Sequence, residues 1–177
     1  MQTTNQKVKA LFLDRDGIIN IDHGYVSHIE DFEFTEGIFD LVHLFTQKGY
    51  LIFVVTNQSG IGRGYFSLES FCTLTDWMTG QFEAQQIKLQ DVLYCPHTPE
   101  SHCTCRKPKT EMIDSILQQY PIDLEHSWLI GDKQSDIDLA RNAHIGMCIA
   151  IGNTTIQNAT YHFDTVSQCK DFLTDTL

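Results

Sequence analysis

Two short segments of this sequence set carboxylates where chemistry could use them. Asp14-Arg15-Asp16-Gly17 follows an apolar run at residues 8–13, and Gly131-Asp132-Lys133-Gln134-Ser135-Asp136 follows another at residues 127–130. Side chains two positions apart on extended backbone point the same way, so Asp14 and Asp16 can face one site. Carboxylates held together repel unless a cation joins them or one keeps a proton. Either arrangement is useful: an ionised carboxylate attacks or ligates a metal while its neighbour moves a proton. A lone D-x-D also fits a plain polar turn, and Asp136 fits equally well as a first-turn helix acid favoured by the helix dipole. If the two segments end adjacent strands, Asp132 approaches Asp14 and the converging oxygens suit Mg²⁺, a hard cation.

Further candidates follow in the same pattern. Thr56-Asn57-Gln58-Ser59-Gly60 offers a hydroxyl, amides and backbone N–H groups where an apolar run stops, the kind of turn that cradles phosphate oxygens. Lys107, in Cys105-Arg106-Lys107-Pro108-Lys109, can offset charge on a transferring phosphoryl group, and Pro108 is placed to begin the next helix. Six of the 12 cations (Arg15, Arg63, Arg106, Lys107, Lys109 and Lys133) fall in such turn-like segments. That grouping points to a local anion site, although turn polarity alone gives the same pattern.

Cys95-Pro96-His97 and, five residues on, Cys103-Thr104-Cys105 supply three thiols and an imidazole. That donor set suits a closed tetrahedral Zn²⁺ site of the structural type. His102 is a competing donor expected to be exposed. A catalytic thiol is the weaker alternative, because no evident base accompanies these cysteines. The cluster ends immediately before Arg106 and Lys107, so a folded metal loop would hold both cations rigid.

The elements that must position these groups are legible too. The 177 residues are 42% hydrophobic, which argues against disorder, and a chain of this length buries about 70% of its extended surface. A net charge of −11 argues against bulk binding to nucleic acid or anionic lipid. No uncharged apolar run reaches membrane-spanning length. The polar stretch at residues 1–9 lacks the apolar core of a signal peptide, so a cytoplasmic protein is expected. Cys72, Cys148 and Cys169 sit singly among apolar residues and read as small core side chains.

Residues 8–13, 51–55, 91–94, 127–130 and 147–151 read as strands. Between them, helical spacing joins Ile38, Leu41, Val42 and Phe45, then Leu68, Phe71, Leu74, Trp77, Met78 and Phe82, with Ser67 or Ser70 as caps. Met112, Ile113 and Ile116 mark a third helix, and Ile137, Leu139 and Ala140 a fourth that begins near Gln134 or Ser135. The alternation predicts one α/β domain over residues 1–177: a doubly wound, Rossmann-like, mostly parallel sheet with helices on both faces. Ligands of such sheets bind beyond the carboxyl ends of the strands. Four of those ends carry the polar clusters.

In order and spacing, Asp14-Arg15-Asp16-Gly17, Thr56-Asn57, Lys107 and Gly131-Asp132 with Asp136 resemble the motifs of the haloacid dehalogenase-like phosphohydrolases, over about residues 11–151. The resemblance implies Asp14 as nucleophile, forming an aspartyl-phosphate, and Asp16 as the acid that protonates the leaving group and then activates water. It implies Mg²⁺ held by Asp14, Asp132 and the backbone carbonyl of Asp16, with Asp136 as a further candidate, and Thr56 and Lys107 positioning the phosphoryl group. Ile18 departs from the pattern, standing where close relatives usually have Thr.

The C-x-H…C-x-C-R-K-P loop is similar to that of a zinc-containing branch of the family that lacks a large cap domain and acts on heptose bisphosphate or histidinol phosphate. Residues 20–26 and 56–64 resemble the heptose form, whereas the five-residue spacer between His97 and Cys103, and Glu111 in place of a frequent Gly, depart from it. The heptose form implies sugar contacts from Asp22, His23, Gly24 and Tyr25, and substrate contacts from Asn57, Gln58, Ser59, Arg106 and Lys133. Arg63 is a candidate for a second phosphate. The expected partner is a small phosphorylated sugar, with neither nucleic acid nor membrane, for a monomeric enzyme of heptose or lipopolysaccharide synthesis. The competing class, a zinc-stabilised binding module without catalysis, predicts a damaged nucleophile or acid, but Asp14, Asp16, Lys107 and Asp132 are all intact.

Overall fold

Four-residue strand Ala10–Leu13 (β1) is buried throughout, as a central strand covered on both faces must be. A computed structural model describes residues 7–177, so most of the polar N-terminal stretch, residues 1–6, lies outside the described residues. Strands β2 (Leu51–Asn57), β3 (Leu89–Cys95), β4 (Trp128–Gly131), β5 (Met147–Ile151) and β6 (Tyr161–Phe163) join β1 in one all-parallel sheet, in the order β3-β2-β1-β4-β5-β6. Helices α1 (Ile38–Gln47), α3 (Leu68–Ala84) and α6 (Val166–Thr176) cover one face, and α4 (Glu111–Gln119) and α5 (Gln134–Asn142) the other. A single turn, α2 (Ser59–Gly62), follows β2.

Strand alternation divides the core into two layers. Leu11 and Leu13 pack with Ile38, Leu41, Phe45, Met78 and Leu173, while Ala10 and Phe12 pack with Phe53, Ile113, Ile116, Ile137 and Leu139. Burying these apolar faces contributes roughly 25 cal/mol per Å² removed from water.

The order of strands reverses at β1, which lies between β2 and β4. Leu13 pairs with Val54 on one side and Ile130 on the other, and the Asp14 N–H donates to the Ile130 carbonyl at 3.1 Å. The carboxyl ends of β1 and β4 therefore open at nearly one level, while β2 runs three residues past Val54 to Asn57. Residues 17–34, between β1 and α1, fold back as a small flap pinned by bridges from Asn20 to Asp16 and to Phe34. Among the described residues there is no large cap domain.

Several expectations need correction. Cys72 is exposed on α3 rather than buried, whereas Cys148 and Cys169 are core residues. Helix α4 starts at Glu111, after Thr110, rather than at Pro108. Ser67, not Ser70, is the cap of α3, accepting from the Ser70 N–H at 3.0 Å. Strand β6 and helix α6 were not expected. A three-residue edge strand is too short for a periodic signal, and the buried Val166, Cys169 and Leu173 are diluted by polar neighbours. Among the described residues no helix is long and apolar enough to cross a membrane.

Candidate active site

The turn after β1 places Asp14 and Asp16 on a cavity of about 290 Å³ at the switch point of the sheet, where ligands of doubly wound folds collect. Lys107 reaches its floor from the β3–α4 loop. Its Nζ lies 2.9 Å from Asp14 Oδ1 and 2.6 Å from Asp136 Oδ1, and it donates to the Val55 carbonyl at 2.9 Å. All three side chains are almost wholly buried. The Asp132 carboxylate completes the cluster, with oxygens of Asp14, Asp132 and Asp136 all within 4.8 Å of one another.

Three carboxylates around one buried ammonium leave a surplus of negative charge. Burial, reinforced by the Asp136 charge, pushes the Asp14 carboxyl up to about 6 although Lys107 opposes the rise. Burial and the Asp14 charge push Asp132 up to about 7. Burial works against the Lys107 ammonium, but Asp136 and Asp14 outweigh it and raise its pKa. Asp132 Oδ1 is buried without a hydrogen-bond partner. An orphaned carboxylate oxygen beside surplus negative charge, with hard oxygen donors on two strands, fits a divalent cation such as Mg²⁺.

Asp136 lies in this cluster, but both its oxygens are already engaged. Oδ1 faces Lys107 and Oδ2 accepts the Lys133 N–H at 3.1 Å, the position of a first-turn helix acid.

Asp16 stands in a different field. Its Oδ1 accepts from Arg15 at 2.7 Å and Asn20 at 3.1 Å, and its Oδ2 accepts from Gln58 at 2.8 Å. Burial alone would raise its pKa, but the Arg15 guanidinium and these donors hold it below the usual carboxylate range. The two neighbouring carboxylates thus differ in their hold on a proton, Asp14 keeping it more firmly than Asp16.

The structure distributes the remaining expected residues unevenly. Gly24, Tyr25, Asn57, Gln58, Ser59, Arg106 and Lys133 line the cavity with Asp22, whose Oδ2 lies 3.3 Å from Lys133 Nζ. His23 turns into an adjoining hollow, 3.3 Å from Glu33. Thr56 is buried behind the wall, its Oγ1 accepting from Gln58 at 2.9 Å. Asn57 clasps the Lys107 backbone, accepting from its N–H at 3.0 Å and donating to its carbonyl at 3.4 Å. The cations do not all converge: Arg15 is buried inside the flap, donating to Val26 O, Lys109 donates to the Cys103 carbonyl, and Arg63 does not line the cavity. Gly60, from the expected phosphate-cradling turn, lines it too; Ser135 lines it unanticipated, and Asn20 holds Asp16 without having been expected to. The one available signal was the position of Asn20 in the segment that turns the chain back after Asp16.

Beside this cavity, Cys95, His97, Cys103 and Cys105 bring their donor atoms within 4.8 Å of one another. Cys95 Sγ is 3.5 Å from Cys103 Sγ and 3.0 Å from Cys105 Sγ, and His97 Nδ1 is 3.2 Å from Cys105 Sγ. Tetrahedral thiolates around Zn²⁺ stand about 3.8 Å apart, so the four donors fit that ion with little movement. His102 is exposed and outside the cluster. The loop is stitched to the turn after β2, with Gln58 N–H donating to Cys95 O at 2.7 Å and Gly62 N–H to Pro96 O at 2.9 Å.

Comparison with known proteins bears on this arrangement. Residues 104–165 match the HAD-hydrolase-like family model. The chain is 48% identical to a D-glycero-alpha-D-manno-heptose-1,7-bisphosphate 7-phosphatase of Campylobacter jejuni, over 82% of this chain and 83% of that protein. It is 46% identical to the D-glycero-beta-D-manno-heptose-1,7-bisphosphate 7-phosphatase of Helicobacter pylori, over 93% of both. Its fold is similar to the D,D-heptose 1,7-bisphosphate phosphatase of B. bronchiseptica, a structure complexed with magnesium and phosphate, with a TM-score of 0.84 and 24% identity over 96% of this chain and 100% of that one. A putative HAD-like phosphatase of Mesorhizobium loti superposes with a TM-score of 0.83 at 27% identity, over 95% of this chain and 85% of that one.

Proposed function

This chain belongs to the haloacid dehalogenase-like phosphohydrolases, and from that membership we propose which of its residues remove the 7-phosphate of D-glycero-D-manno-heptose 1,7-bisphosphate. The observation that carries the assignment is Lys107 Nζ seated 2.9 Å from Asp14, with Asp132 closing the same cluster. Relatives of heptose-bisphosphatase name align over most of the chain, which supports a phosphorylated sugar as substrate.

Asp14 Oδ1 accepts from the Arg15 N–H at 2.7 Å and faces Lys107, which leaves Oδ2 to attack phosphorus in line. The phosphorus–oxygen bond to the sugar breaks as the bond to Asp14 forms, giving an aspartyl-phosphate. Asp16 protonates the leaving sugar oxygen, then takes the proton of the water that hydrolyses the aspartyl-phosphate. Its surrounding donors favour the ionised form wanted in the second half, and a phosphoryl dianion arriving beside it pushes the carboxyl toward the protonated form wanted in the first. Lys107, fixed through Asn57, holds the phosphoryl group, and Thr56 acts one step removed, orienting Gln58 against Asp16. Asp14, Asp132 and the backbone carbonyl of Asp16 would hold Mg²⁺, which supplies charge neutralisation for the phosphoryl oxygens.

Cys95, His97, Cys103 and Cys105 would hold Zn²⁺ as a structural ion, keeping Arg106 and Lys107 in place. Arg106, Lys133, Asp22 and Tyr25 face the sugar and its second phosphate.

The test is turnover of both anomers of heptose 1,7-bisphosphate beside histidinol phosphate, by wild type and by Asp14→Asn. Wild type turns over a heptose bisphosphate faster than histidinol phosphate, and Asp14→Asn abolishes turnover while retaining the fold. Activity that survives in Asp14→Asn removes the nucleophile from the scheme.

A further inference from the structure

Two exposed tyrosines from separate loops meet beside the cavity. Tyr25 is 51% exposed and Tyr65 63% exposed, yet their ring centroids lie 4.7 Å apart at 86°, an edge-to-face contact. Core packing does not require it.

Both backbones are held in place beside the contact. Tyr25 sits at a φ of 53°, a conformation bulky side chains rarely adopt. Strained positions of this kind persist only where the surroundings over-determine them. Here Asp22 Oδ1 accepts the Gly24 N–H at 3.0 Å on one side, and Arg15 donates to the Val26 carbonyl at 2.7 Å on the other. Tyr65 donates its N–H to Gly60 O at 2.9 Å, while the neighbouring Phe66 packs into the space that a side chain at Gly60 would fill. Tyr25 lines the catalytic cavity and the hollow beside it, and Tyr65 lines neither.

We propose that Tyr65 is a positioning residue: its ring holds Tyr25 against the cavity as a wall on which the carbon–hydrogen face of the substrate sugar packs. The proposal rests on the sugar-phosphate reading above. A contact made equally in the ground and transition states acts on KM and leaves kcat unchanged, and an apolar wall packed on the sugar is of that kind. Losing Tyr65 therefore raises KM and spares kcat.

The experiment measures steady-state kinetics on heptose 1,7-bisphosphate for wild type, Tyr65→Ala, Tyr65→Leu, Tyr65→Phe, Tyr25→Ala and the Tyr25→Ala/Tyr65→Ala pair, with melting temperatures as the folding control. Tyr65→Ala and Tyr65→Leu are expected to raise KM about 3- to 10-fold with kcat within twofold, the range an edge-to-face contact converts to. Tyr65→Phe, which keeps the ring, is expected to restore KM. The double variant is expected to be no worse than Tyr25→Ala alone, because Tyr65 acts only through Tyr25. An unchanged KM in Tyr65→Ala, a fall confined to kcat, or additive losses in the double variant overturns the proposal while the sugar-phosphate reading stands. A wild-type chain that leaves heptose bisphosphate intact overturns that reading and this proposal with it.

Discussion

Gly17 and Asp132 come so close that a Cβ on Gly17 would lie 2.2 Å from Asp132 Oδ2. Gly17 also has a φ of +88°, where L side chains are strained. A side chain at this position would push the Asp132 carboxylate out of its place. The close passage at Gly17 is what lets the Asp132 carboxylate approach Asp14.

Gly17→Ala tests this passage. Backbone strain costs about 1–3 kcal/mol, and displacement of Asp132 weakens Mg²⁺ binding roughly tenfold or more. Urea unfolding and calorimetric Mg²⁺ titration read the two effects separately. A variant with native stability and native Mg²⁺ affinity would show that the approach is not needed.

Lys107→Met leaves Asp14 and Asp136 buried with no ammonium between them. Removing one partner of a buried ion pair costs roughly 3–5 kcal/mol. Adding Asp136→Asn removes one of the stranded charges, so the double variant is expected to be more stable than Lys107→Met alone. Strictly additive losses in urea denaturation would mean that the two residues do not share this interaction.

Proton competition at the acid cluster has a definite sign. The Asp14 and Asp132 carboxyls, raised to about 6 and about 7, bind more protons folded than unfolded, so without metal their contribution favours the fold at low pH and is lost as pH climbs from about 4 to 7. A cation must displace those protons. The rise in melting temperature produced by Mg²⁺ over a chelator control is therefore expected to be larger at pH 8 than at pH 5.5. Equal shifts at both values would place the ion elsewhere.

Metal analysis of the purified protein is expected to give one Zn²⁺ per chain, reduced by Cys105→Ser. Stripping it with a strong chelator and resupplying Mg²⁺ alone is expected to lower kcat roughly 10- to 100-fold, because the loop supports Lys107 and the Gln58 turn. Full activity in zinc-free protein would reduce the cluster to a bystander.

Much of this arrangement was legible in the chain. The strand ends after β1 and β4 were readable because buried parallel strands are continuous apolar runs, and their interruption by Asp14 and Asp132 marks where they stop, whereas β2 runs on through the buried Thr56 to Asn57. The Cys95–Cys105 cluster was readable from donor chemistry. Arg15 was not: a charge in a turn normally faces water, and only tertiary contact shows it buried between Asp16 and the Val26 carbonyl. Cys72 misled for the opposite reason, its apolar sequence neighbours pointing to the other side of α3. Asn57 looked like a ligand-facing amide, and its grip on the Lys107 backbone depends on a loop fifty residues away.

The four donors of the Cys95–Cys105 loop close at its base, while Pro99–Ser101 forms an exposed turn beyond them. Residues could be added or deleted at that outer turn without altering the clamp beneath it. Such a turn can change in length while the donor cluster, and the contacts of Gln58 and Gly62 with Cys95 and Pro96 beneath it, stay fixed.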